Sequence, residues 1–124
     1  MTGVKVIDAS ALAALVFAEP EAGEVASRLE GARLAAPSFV DFELANVCLT
    51  KMRREPGKRD DVRAAFRLGQ RMKVETVAVD HSAVLDLAEA TGLTAYDASY
   101  LWLARALDAE LVTLDRKLAA VAAT

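Results

Sequence analysis

The sequence has one cysteine, one histidine and no apolar run near the ~20 residues that a membrane-crossing helix needs. Each shortage excludes something. A lone Cys48 has no partner for an internal disulfide, which fits a reducing cytoplasm. It sits among Leu44, Ala45, Val47 and Leu49, and with no histidine beside it Cys48 reads as a buried, inert thiol rather than a nucleophile. His81, directly after Asp80 at a helix start, reads as a surface or capping residue. The N-terminus shows no basic segment followed by a long apolar stretch, so no secretory signal is expected.

Net positive charge is absent too, with 15 Lys and Arg against 18 Asp and Glu. The net charge is -3, with no global attraction to nucleic acid, yet its distribution is uneven. Between Lys51 and Lys73 nine basic residues face three acids, a local +6 that leaves -9 for the rest. What is abundant is apolar side chain: 54% of residues, with a mean hydropathy of +0.23. Without a spanning helix, that excess points to a sheet covered on both faces and to a partner interface. The length of 124 residues suits one domain, 1–124, and no repeat, linker or low-complexity segment divides it.

Periodicity and turn residues predict an alternating order. A strand over Val4 to Ile7 precedes a helix from Ala9 to Phe17, and Glu19-Pro20-Glu21 opens a second helix that stops near Gly31. A strand from Arg33 to Ala36 follows. Ser38 then caps a long helix, Phe39 to Arg54, with Asp41 three residues on in a capping-box variant. Pro56-Gly57 breaks it before a returning helix, Arg59 to Met72, so the two form a hairpin carrying the basic segment. Beyond it come a strand Val74 to Val79, a helix His81 to Ala90 closed by Gly92, a Thr94-capped helix Ala95 to Leu107, a strand Leu111 to Leu114, and a short helix after Asp115. Such alternation implies an α/β fold with a parallel sheet of about four strands and helices on both faces.

Three acids stand at junctions of these elements: Asp8 after the first strand, Asp97 in the first turn of its helix, and Asp115 after the last strand. Glu43 lies in an otherwise apolar stretch between Phe42 and Leu44. Each also has an ordinary account, since Asp8 and Asp115 can cap helices, Asp97 can complete a capping pair with Thr94, and Glu43 can be solvated. If the four converge, like charges in a partly buried site must be relieved by protons or cations. Oxygen ligands without histidine or cysteine select hard ions, Mg²⁺ or Mn²⁺ rather than zinc, and such ions suit phosphoryl chemistry. Arg59, Arg63 and Arg67, spaced by four, share one helical face and are candidate phosphate contacts, or a solvated face. Tyr96, Tyr100 and Trp102 read as core and interface packing rather than base-stacking platforms, with Tyr96, beside Asp97, placed near any cleft.

Ile7-Asp8-Ala9-Ser10-Ala11, Glu43 with Asn46, Tyr96-Asp97-Ala98 near Trp102, and Leu111-Val112-Thr113-Leu114-Asp115 together resemble PIN-domain nucleases, and among them the VapC-type toxins of toxin-antitoxin pairs. The resemblance covers essentially the whole chain. It implies a three-layer α/β/α sandwich in which four acids hold one or two Mg²⁺ or Mn²⁺ ions and hydrolyse RNA. By position Asp8, Glu43, Asp97 and Asp115 are the catalytic, metal-binding quartet, and Ser10 and Thr113 are the hydroxyls that support it. Asp8 and Asp97 would bind the principal metal directly, Asp115 directly or through water, and Glu43 a water or second ion. Arg116 and Lys117 stand where some relatives carry a further acid, which leaves a second metal without that ligand. The family also implies a homodimer and a cognate antitoxin whose C-terminal segment packs into a groove near the site and places an arginine against the acids. Acidic or C-terminal antitoxin residues bound by Arg59, Arg63 and Arg67 are a third account of the basic hairpin, and the expected location is the cytoplasm. A non-catalytic PIN-like interaction module, with acids that only cap helices, is the alternative. A phosphoacceptor receiver domain fits poorly, because Asp8 has no adjacent acid and no strand-terminal lysine completes such a site.

Overall fold

Four short parallel strands, each followed by helix, make up the centre of the computed structural model, which describes residues 3–124. The strands are β1 (Val4–Ile7), β2 (Arg33–Pro37), β3 (Val74–Val77) and β4 (Glu110–Val112), in the order β3-β2-β1-β4. Seven α-helices connect and flank them: α1 (Ala9–Val16), α2 (Ala22–Leu29), α3 (Val40–Arg54), α4 (Arg59–Gly69), α5 (His81–Thr91), α6 (Ala95–Ala106) and α7 (Arg116–Ala122). α1 to α4 pack on one another, while α6 packs against α5 and α7, which separates two helical layers with the sheet between them. The fold is thus the three-layer α/β/α sandwich expected. None of the described helices is long and apolar enough to cross a membrane.

The strand order creates the site. From β1 the chain steps outward to β2 and β3, then returns across the sheet to lay β4 on the other side of β1. Connections therefore leave β1 and β4 in opposite directions, and the crevice outside their carboxyl ends is the place where open α/β sheets bind ligands. The Asp8 N–H extends the ladder by donating to the Val112 carbonyl at 3.2 Å, so the two chains are still in register as they leave the sheet.

The core that fixes this geometry is built from small and branched residues. Val6, Ile7, Ala11, Ala14, Val40, Ala98, Val112 and Leu118 are buried completely. Leu118 anchors α7, and burying such a side chain contributes about 1.5–3 kcal/mol. At the end of α5, Gly92 adopts φ of +75° and returns its N–H to the Ala88 carbonyl, a left-handed stop that delivers buried Leu93 and the Thr94 cap to the start of α6.

Several boundaries differ from the sequence expectation. Ser38 does not cap α3: Phe39 is the capping residue, with no side-chain hydrogen bond. The ring of Phe39 packs edge-to-face on both Tyr96 and Tyr100, and this aromatic burial sets the start of α3 in place of the local Ser-Asp pattern. Glu19-Pro20-Glu21 forms the turn before α2 rather than its first turn, and Pro56–Lys58 is a 3-10 turn. α4 ends at Gly69, three residues early, and β3 ends at Val77. β4 ends at Val112, so Thr113 and Leu114 lie in the connection to α7 and their polar groups are free of the ladder. Cys48 is buried, with Met52 as its sulfur neighbour, and burial raises its thiol above the ordinary range.

Candidate active site

Asp8 is the best-held polar residue in the protein. It caps α1, with Oδ1 accepting from the Ala11 N–H at 3.0 Å and from the Ser10 hydroxyl at 2.7 Å, while Oδ2 accepts from the Thr113 hydroxyl. The carboxylate is buried, at 4% exposure. Three donors against about four lone-pair positions leave acceptor capacity on Oδ2 for something further.

Thr113 and Ser10 tie the two strand ends together. The Thr113 hydroxyl, besides donating to Asp8, accepts from the Asp115 N–H at 3.0 Å, and the Ser10 hydroxyl accepts from the Leu114 N–H at 3.0 Å. Asp115 caps α7 through Oδ1, which takes the Leu118 N–H at 2.9 Å. Capping and site membership are therefore not rivals at these positions. At Asp8 and Asp115 the cap uses Oδ1 alone, so Oδ2 is left for other partners, at Asp8 the Thr113 hydroxyl among them.

Asp97 enters from α6, where the Thr94 hydroxyl receives its N–H at 3.1 Å. Glu43, in the first turn of α3, accepts a hydrogen bond from the Tyr100 hydroxyl at 2.6 Å. Tyr100 is almost fully buried on the same face of α6 as Asp97, three residues earlier, so one helix supplies both an acid and the donor that holds another acid.

The electrostatics show that these four carboxylates share a field. Burial first, and the charge of Asp115 in addition, raise the Asp8 carboxyl above the usual carboxylate range, against the lowering effect of its hydrogen bonds. Glu43 is raised by burial and by the charges of Asp97 and Asp8, with Tyr100 opposing. Asp97 is raised by burial and by Asp115 and Asp8. Burial and the adjacent Glu43 push the Tyr100 phenol far up, so it stays a neutral donor. Among the described residues, no three histidine, cysteine or acid side chains form a ready-made ligand cluster. The oxygen-only donor set, with each charge raising its neighbours' proton affinity, is nonetheless the chemistry that a hard divalent cation fits.

Arg59, Arg63 and Arg67 are exposed on α4. Arg63 and Arg67 line a groove against Cys48 and Met52 of α3, while Arg59 lies beside Asp60 at 3.4 Å. Two residues at the site escaped the sequence reading. Tyr100 reads as packing from the sequence, although a buried tyrosine hydroxyl needs a partner and its spacing from Asp97 aims it the same way. Lys117 donates to the Gly92 carbonyl at 2.8 Å and sits near enough to Asp97 to oppose its upward shift. His81, at the start of α5, is exposed.

A parallel α/β/α sandwich with a switch point between β1 and β4 is the class of fold in which ligands bind in the crevice outside the strand ends. The sequence model of the PIN domain matches residues 5–124. Ribonuclease VapC3 of Pyrobaculum aerophilum is 33% identical over 120 residues, spanning 92% of this chain and 91% of that protein. Ribonuclease VapC9 of Mycobacterium tuberculosis is 34% identical over 118 residues, with 91% and 87% covered. Among solved structures, PAE2754 from Pyrobaculum aerophilum superposes with a TM-score of 0.75 at 25% identity, covering 96% of this chain and 84% of that one. The chain belongs to the PIN-domain family.

Proposed function

We propose that this protein is a metal-dependent endoribonuclease and the toxin of a VapBC-type toxin-antitoxin pair. The observation that carries the proposal is the hydrogen-bonded network of Asp8, Ser10, Thr113 and Asp115 at the ends of β1 and β4, with Glu43 held by Tyr100 and Asp97 in the same field and Lys117 opposing part of it. The names of the curated relatives support the same activity.

Asp8, Asp97 and Asp115 would hold a Mg²⁺ or Mn²⁺ ion, with Glu43 at a water or second ion. When bound, the ion would neutralise charge on the scissile phosphate and acidify a coordinated water. The protein's own groups do the rest. Ser10 and Thr113 hold Asp8 so that its free lone pair faces the crevice, a fixed anchor for the more exposed Asp97 and Asp115. With Oε1 occupied by Tyr100, Glu43 offers Oε2 to a water and can take its proton. Arg59, Arg63 and Arg67 supply the phosphate contacts that an acidic nuclease otherwise lacks.

Residues 1–124 act as one PIN-like domain, as a cytoplasmic homodimer held inactive by an antitoxin. The non-catalytic alternative makes the opposite prediction in one assay. Asp8→Asn and Asp97→Asn, each with an unchanged circular dichroism spectrum, should lose cleavage of single-stranded RNA in Mn²⁺. Undiminished cleavage by both removes the proposal.

A further inference from the structure

Next to the acid crevice lies a hollow of about 480 Å³ with no part in the chemistry described so far. Its wall includes Phe39, Val79, Val84 and Tyr96, with Ser38 and His81 as exposed polar members. Phe39 divides it from the acids. The ring meets Tyr96 at 5.2 Å and 78° on one side and Tyr100 at 5.5 Å and 79° on the other, and Tyr100 holds Glu43. Tyr96 itself immediately precedes Asp97 on α6, and Phe39 touches both Tyr96 and the Tyr100 that holds Glu43.

Two features define what fits there. Tyr96 is 61% exposed, yet its ring is braced by the T-shaped contact with Phe39, which covers at most one face and leaves a fixed aromatic plane open. The lining contains no lysine, arginine, aspartate or glutamate. An uncharged, aromatic hollow discriminates against phosphate and charged peptide, and suits a flat neutral ring with a hydrogen-bonding edge. The Ser99 hydroxyl is spent on the Ala95 carbonyl at 2.8 Å, which leaves Ser38 and His81, besides the Tyr96 phenol, as the polar side chains able to read such an edge.

We propose that this hollow is a nucleobase subsite, in which the base beside the scissile phosphate leaves its stack and lies on Tyr96, with Ser38 Oγ and the His81 imidazole within reach of its edge. Unstacked single-stranded bases are recognised on aromatic platforms in this way. The inference rests on the nuclease reading above and names the part of the substrate that is gripped.

The test separates grip from chemistry. Stacking away from the reacting atoms contributes uniform binding, so Tyr96→Ala should raise KM roughly tenfold or more with kcat nearly unchanged, while Tyr96→Phe retains the wild-type value. Ser38→Ala and His81→Ala should alter which base is preferred beside the cut. Independently of cleavage, Asp8→Asn protein should quench the fluorescence of 2-aminopurine in a short single-stranded RNA, and Asp8→Asn with Tyr96→Ala should not. Unchanged KM, cut-site preference and quenching in the Tyr96→Ala proteins overturn the subsite. So does a fall in oligomeric mass on Tyr96→Ala with quenching retained, because the face then belongs to a second copy of the chain. A wild-type protein that cuts no RNA sinks the nuclease reading instead, and the quenching comparison still decides the pocket.

Discussion

Adding Mn²⁺ to the chelated protein is expected to raise its unfolding temperature, and to raise it more at neutral than at acidic pH. Asp8, Glu43 and Asp97 bind protons more tightly in the fold than in the unfolded chain, through burial first and neighbouring charges second. A carboxyl with a raised folded pKa favours the fold while protonated. Its contribution is therefore full below the ordinary carboxylate range and declines as pH climbs through that range to the raised folded value. As these carboxyls ionise, their charges press against one another. A cation that binds only the folded state reverses this, by about 2.7 kcal/mol at ~100 times its Kd, or roughly 10 °C in a chain of this size. Protons compete for the same oxygens, so the Mn²⁺ shift should shrink as the pH is lowered toward the ordinary carboxylate range. Thermal melts by circular dichroism at the two pH values, for wild type and Asp8→Asn, provide the readout. Asparagine caps a helix as well as aspartate does, so Asp8→Asn should melt at or above wild type without metal and lose most of the Mn²⁺ response. An equal response in Asp8→Asn, no response in wild type, or a larger one in acid would refute the reasoning.

Tyr100→Phe keeps the packing on Phe39 but removes the donor to Glu43, and should cost about 1–2 kcal/mol of stability in urea unfolding while weakening Mn²⁺ binding by calorimetry. Gly69→Ala should destabilise by roughly 1–3 kcal/mol despite the better helix propensity of alanine. Its Cβ would lie 2.6 and 2.8 Å from the methyls of Val16, a branched side chain with little rotamer freedom in a helix, and adding Val16→Ala should recover much of the loss in the same melts. Replacing Arg59, Arg63 and Arg67 together by alanine should weaken RNA binding with little regard to sequence and flatten its salt dependence, measured by titration at several salt concentrations.

Much of the molecule could be read locally. The side chains of Asp8, Asp80, Thr94 and Asp115 each accept from the N–H three residues on, and the left-handed stop at Gly92 is equally local. Such bonds depend on a few consecutive dihedrals, so spacing along the chain reveals them. Ser38 shows where that logic fails: its pattern is present, but Phe39 buries its ring against α6 and places the helix start one residue later.

By itself, the sequence determined the order of strands and helices and set acids at the ends of β1 and β4 and at the start of α6, because helix starts and strand ends follow from nearest-neighbour chemistry. Only the tertiary structure decided that β4 lies beside β1. That pairing joins Thr113 to Asp8 across 105 positions, and packing of α6 against the sheet joins Tyr100 to Glu43 across 57. Contacts at such separations depend on how whole faces pack, which no local periodicity encodes, and they turn scattered carboxylates into one electrostatic site.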